Sequence, residues 1–292
     1  MGTSLLFGNG INRLNNAEAS WENVLRELSA GNPTARELQF IKHKPFALLY
    51  EEILLAGVSA IKALNESPIK QRIASLVEEL QGNEFHRRVM TSNVRHILTT
   101  NYDYNFEKAT RLPFPRRNLE SESKYSVFRR RAVAEKFVWH IHGEAKAPST
   151  ITLGYDQYSG YLQKLRGHAT AERDGEKRAP FKRGELDFDE CDGRVYSWLD
   201  VFFRDNIHIV GLGLDFTEID LWWVLTYKGR LAARGHTVGK TYFYDWHQGD
   251  VDDAILARRS LLTALGVEVK AAVCEDGFDS LYDTFLVTEL GV

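Results

Sequence analysis

Apolar positions in this chain fall into short continuous runs that each stop at glycine or at a polar cluster. Residues 3–7 (TSLLF) stop at Gly8-Asn9-Gly10, the pattern of a buried parallel strand with its turn directly after it. Residues 95–100, 137–141, 206–210, 241–246 and 267–273 read as further strands, and residues 149–153 as another short one. Elsewhere apolar residues recur at three- and four-residue spacing. Ser20-Trp21 opens one helical stretch, residues from about 30 to 90 read as a helical insertion, Asp103 opens another helix, and 216–233 form a helix rich in Trp and Leu. Inside the insertion, Ser67 is expected as N-cap with Pro68 at the first helical position. Strands alternating with helices predict one α/β domain over 1–292, a Rossmann-like, doubly wound, mostly parallel sheet with a helical insertion. About half of segment 164–194 is charged, so a solvated loop insertion is expected there.

Composition narrows the function classes. The formal net charge of −3 offers no field to attract nucleic acid or a membrane surface. The start of the sequence has neither a basic leader nor a cleavable apolar stretch, and no apolar run is long enough to span a bilayer, so a cytoplasmic protein is expected. Cys191 and Cys274 are read as free thiols in a reducing compartment, and two cysteines cannot build a four-cysteine zinc site.

Four strand ends carry the unusual residues, and open α/β sheets bind ligands beyond the carboxyl ends of their strands. At the first, Gly8, Asn9, Gly10 and Asn12 form a turn whose glycines permit close approach to a phosphate, or simply a tight turn. At the second, Thr100, Asn101 and Asp103 follow an apolar strand. Asn101 can donate and accept at once, which suits a ribose hydroxyl or a water, while Asp103 either caps the next helix or faces developing positive charge. At the third, alternation puts His140 and His142 on one strand face. His140 is read as structural and His142, beside Gly143, as a general base; a two-histidine metal site lacks a third ligand. At the fourth, Gly211, Gly213, Leu214 and Asp215 lead into Glu218, and Asp215 with Glu218 has capping-box spacing. Arg129-Arg130-Arg131 reads as a solvated face or an oligomer contact, and Trp222, Trp223 and Tyr227 as core or interface.

In this order the four sites resemble the sirtuin superfamily, which carries Gly-Ala-Gly-Ile-Ser, Thr-Gln-Asn-Ile-Asp, His-Gly and Gly-Thr-Ser-Leu. The corresponding stretches here are Gly8-Asn9-Gly10-Ile11-Asn12, Thr99-Thr100-Asn101-Tyr102-Asp103, His142-Gly143 and Gly211-Leu212-Gly213-Leu214. Glu107 after the second site, Ser20-Trp21 after the first and Ile141-His142-Gly143 are more similar to the sirtuin-like NAD hydrolases of bacterial anti-phage defence. The resemblance implies NAD as substrate, no zinc, Asn101, His142 and Asp103 as catalytic residues, and Gly8, Asn9, Gly10, Asn12, Thr100, Gly211, Gly213, Leu214 and Asp215 around the cofactor. It further implies an oligomeric effector that depletes NAD in abortive infection. Such an effector is switched on by a co-encoded partner, a nucleotide-binding protein or HerA-type ATPase, or by a nucleotide signal, without membrane or direct nucleic-acid contact. An NAD-dependent deacylase and a non-catalytic NAD or ADP-ribose sensor are the alternatives. A dehydrogenase is disfavoured because the full glycine fingerprint is missing.

Overall fold

The computed structural model describes residues 1–14, 16, 20, 23–24, 26–27, 44–61, 65–114, 124–170, 172–173, 176–177, 197–275 and 277–292. The chain starts with β1 (Thr3–Phe7) and a single helical turn α1 (Gly10–Arg13). Three helices follow, α2 (Phe46–Ile61), α3 (Ser67–Glu78) and α4 (Glu84–Thr91), then β2 (His96–Thr99), α5 (Asn105–Lys108), β3 (Arg130–Val133) and β4 (Lys136–His140). Next come α6 (Tyr155–Thr170), a small hairpin of β5 (Glu172–Arg173) and β6 (Glu176–Lys177), α7 (Trp198–Arg204), β7 (Asn206–Val210) and α8 (Ile219–Ala233). The chain closes with β8 (Thr241–His247), α9 (Asp253–Ala264), β9 (Val267–Val273) and α10 (Asp279–Phe285).

The main sheet runs β3-β4-β2-β1-β7-β8-β9, parallel except for β3. Its six parallel strands follow the doubly wound order in which the first strand stands between the second and the fourth, so the winding reverses between β1 and β7. Alternation on β1 shows how the two faces are filled. Leu6 joins Leu98, Trp139, Ile209 and Phe243 beneath α6, α7 and α8, while Leu5 and Phe7 join Ile97, Val138 and Val210 against α4, α5 and α10. The insertion builds a third core. Leu49, Tyr50, Ile53 and Leu54 of α2 and Ile73, Ala74 and Val77 of α3 close over Tyr102, Tyr104, Ala145, Ile151 and Leu153, which all lie past strand carboxyl ends.

Several expectations are corrected. Residues 149–153 form no strand: Pro148 starts a 3₁₀ turn through Thr150, and the following residues wrap back so that Thr152 N–H donates to the His142 carbonyl at 2.8 Å. Arg129-Arg130-Arg131 is not a solvated face. It enters the antiparallel edge strand β3, with Arg129 and Arg131 buried and Arg130 lying over the rings of Phe137 and Trp139. Arg131 reaches Glu144, itself fully buried, at 2.9 Å. Segment 164–194 begins as the last turns of α6, where Leu165 and Ala169 are buried, while residues 178–196, Cys191 included, lie outside the described residues. So do residues 30–43 of the insertion and most of the stretch opened by Ser20-Trp21. Ser67 is the first residue of α3, not its cap; Glu66 holds the N-cap position. Asp215 and Glu218 do not cap α8 together. They close a separate turn, Asp215 N–H donating to Glu218 Oε2 at 2.8 Å, and α8 starts one residue later.

The Arg131–Glu144 pair yields a stability prediction. Arg131→Ala leaves a carboxylate buried without its cation and should cost about 3–5 kcal/mol in denaturant unfolding.

Candidate functional site

The carboxyl ends of β1, β2, β4 and β7 converge on one cavity of about 660 Å³, inside the range of cofactor-sized sites. Its floor is the junction of two glycine turns. Gly10 N–H donates to the Gly211 carbonyl at 2.8 Å, and a Cβ on Gly8 would sit 2.5 Å from the Gly211 oxygen. The glycines at 8 and 10 are therefore demanded first by turn-on-turn packing. Gly213 differs: a Cβ there would meet only open space, so its backbone is bare toward the cavity. Leu214, which also lines the cavity, adopts φ +51°, uncommon for a branched side chain, and is buried in the core.

Of the residues singled out in the sequence, Asn9, Gly10, Thr100, His142, Gly211, Gly213, Leu214 and Asp215 line this cavity together. Asn101 and Asp103 line a smaller adjoining cavity of about 270 Å³ that shares Asn9, Asn23 and Tyr102 with the first. Gly8 and Asn12 are supports behind the wall. The Asn12 amide donates to Asp103 Oδ2 at 2.7 Å and its oxygen accepts from Asn105 at 2.9 Å, while Asp103 Oδ1 accepts the Asn105 N–H at 2.9 Å. Asp103 thus does start α5, as a cap-like acceptor one residue before the N-cap Tyr104, and it ties β2 to α1 at the same time. Burial pushes its carboxyl pKa up, with the Asn105 and Asn12 donors opposing that rise. Asn101 donates to the Gly8 carbonyl at 3.1 Å, and its buried Oδ1 has no hydrogen-bond partner among the described residues.

The two histidines part company because β4 ends at His140, so strand alternation does not carry to His142. His140 Nε2 meets Glu107 at 2.7 Å with both side chains fully buried, and its Nδ1 meets the Asn101 carbonyl, a structural arrangement. His142 points to the other side of the sheet end, edge-on to Tyr158 and Tyr161. Its Nε2 lies 2.8 Å from Asp220 Oδ2 on α8. Asp220 is fully buried, and sequence reasoning missed it; the available signal was an acid inside the otherwise apolar stretch Ile219-Asp220-Leu221-Trp222. With Asp220 accepting from Nε2–H, the neutral ring keeps its lone pair on Nδ1. Gly143 makes this turn possible: at φ +108° a side chain would drive into the Thr150 backbone.

Electrostatics single out this corner. Burial works against protonation of His142, but Asp220 and, more weakly, Glu218 outweigh it, so the imidazole pKa stands above its ordinary value. Burial pushes the Glu218 carboxyl up to about 7; His142 opposes that rise and Asp220 reinforces it. Arg13 and Arg258 bring positive charge to the same cavity, where Arg258 is braced by the Gly213 carbonyl at 2.9 Å and by Asp245 at 2.7 Å. Among the described residues no group of three or more His, Cys, Asp or Glu side chains could hold a metal ion, and no helix is long and apolar enough to cross a membrane.

Fold and site together define a Rossmann-like α/β protein with a polar cavity at the switch point of its sheet. The family model for the SIR2-like domain matches residues 95–181, the span holding β2, Asn101, Asp103, β4 and His142, which supports a sirtuin-like family and NAD-related activity. No curated protein matches the chain.

The His142–Asp220 pair makes a titration prediction. Followed by NMR, His142 should lose its proton above the ordinary histidine range, and Asp220→Asn should bring that titration down. Because the folded value is raised, the pair's stabilisation is complete below the unfolded pKa and is lost as pH rises through the folded one.

Proposed function

We propose that the chain hydrolyses NAD to nicotinamide and ADP-ribose. The observation carrying this reading is the buried Asp220 holding His142 at the wall of a cavity that also presents bare backbone at Gly213 and two arginines. Such a cavity suits a polar, phosphate-bearing substrate. Arg13 and Arg258, the latter shared with Asp245, answer its negative charge, and Gly213 puts no side chain in its way. In the reaction the bond from the ribose carbon to nicotinamide breaks, and its electron pair goes to the pyridine nitrogen, which leaves neutral. Water adds to the same carbon and gives its proton to His142 Nδ1, while Asp220 stabilises the imidazolium that forms. Asn101 has the unmet acceptor to orient a ribose hydroxyl or the attacking water. Asp103, already bonded to Asn12 and Asn105, keeps that strand end in place and adds negative charge near the developing oxocarbenium ion.

On this reading the protein serves as an NAD-depleting effector of anti-phage defence, assembled as an oligomer and restrained or triggered by a co-encoded partner or a nucleotide signal. This role rests on the sequence resemblance alone; the SIR2-like match over residues 95–181 supports only its sirtuin-like part.

The test is nicotinamide release from NAD by the chain expressed in cells with its neighbouring gene products. His142→Ala and Asn101→Ala should each lower turnover ~10²–10⁴-fold with the fold unchanged by circular dichroism. Undiminished cleavage in His142→Ala would overturn the assignment, and tight NAD binding without release would make the protein a sensor. The rate should also climb with pH as His142 becomes neutral. Asp220→Asn should shift that climb to lower pH while reducing the maximal rate, read from kcat/KM profiles of the two proteins.

A further inference from the structure

The main sheet ends at β9, a strand of seven residues, and no strand among the described residues pairs with its outer side. An edge of that length exposes a row of backbone donors and acceptors, a template for pairing with another strand. On β9, Val267 and Val269 face the core under α9, whereas Glu268 and Lys270 are exposed on the opposite face and pair with each other at 2.5 Å. Neighbouring surface is apolar as well: Val273 is 56% exposed, and on α9, which packs over this edge, Leu256 is 50% and Leu261 47% exposed. Apart from Asp253 in its first turn, the exposed positions of α9 carry no charge, which is unusual for a helix meant to face water.

We propose that β9 pairs antiparallel with β9 of a second copy of this chain, about a two-fold axis through Val269, joining the two sheets into one. Register selects that axis. Centred on Val269, Glu268 lies opposite Lys270 of the second copy and Lys270 opposite its Glu268, so two ion pairs form on one face. Val267 meets Ala271 on the other face. A shift of the axis by one residue either way sets Glu268 or Lys270 opposite itself, and like charges directly opposed are unfavourable. The same two-fold brings α9 toward its symmetry mate, covering leucines that are otherwise left in water. This inference is independent of the NAD chemistry.

The test uses the full chain and measures mass in solution by light scattering across a dilution series. Wild type should be a dimer. Glu268→Lys and Lys270→Glu, each confirmed folded by circular dichroism, should weaken dimerisation about tenfold or more, since each places two like pairs across the axis. Mixing the two single variants should restore dimers, because every cross-strand pair is then opposite in sign, and the double reversal in one chain should dimerise like wild type. A wild type that stays monomeric, or single variants that dimerise as well as wild type, would overturn the proposal.

Discussion

The site depends on one close contact, the packing of the β1 turn against the β7 turn. These strands are neighbours in the sheet but far apart in the chain, and they stand where the winding reverses. Gly10 donates to Gly211, Gly8 donates to Val210, and there is no room for a side chain between them. With the turns so close, the cavity floor is bare backbone. The β2 end is then hung from the same point by Asn101 on the Gly8 carbonyl and by Thr100 N–H on the Phe7 carbonyl. A bulkier residue at 8 or 10 would part the turns and move three strand ends at once.

Around that contact the protein concentrates buried polar groups that close packing cannot leave to water. Asn12, Asp103 and Asn105 share their hydrogen bonds, Asn83 adds the Ile11 carbonyl, and the buried pairs Glu107–His140 and Arg131–Glu144 lie behind the β4 end. Each partner is needed because an unmatched group in this setting carries its full desolvation cost. The same reasoning gives His142 its chemistry. Held by a fully buried acid, it has a fixed tautomer and a raised pKa, and α2 and α3 keep solvent from the loops beside it.

Much of this was legible in the sequence wherever a local rule decided the outcome. The apolar runs 3–7 and 206–210 are strands with the expected bounds, since a strand buried on both faces admits few polar residues. The glycine turns stand where they were read. Local rules failed where a distant partner settled the matter. The three arginines at 129–131 look solvated until Glu144, the His140 carbonyl and the rings of Phe137 and Trp139 are brought to them. Residues 149–153 carry β-branched side chains but must wrap around Gly143, which the neighbouring loop imposes. Asp215 and Glu218 have capping-box spacing, yet the helix they would cap starts later, so they close on each other.

By itself the sequence determined the α/β class, the strand ends that carry polar residues and the candidacy of His142, because periodicity, glycine and the position of a polar group after an apolar run are local properties. Only the tertiary structure decided which of those residues share a cavity, that Asn12 and Gly8 act from behind its wall, and that Asp220 holds His142 from 78 residues away. The reason is physical. Burial and pairing set the protonation and orientation of a side chain, and both come from neighbours that chain order does not name.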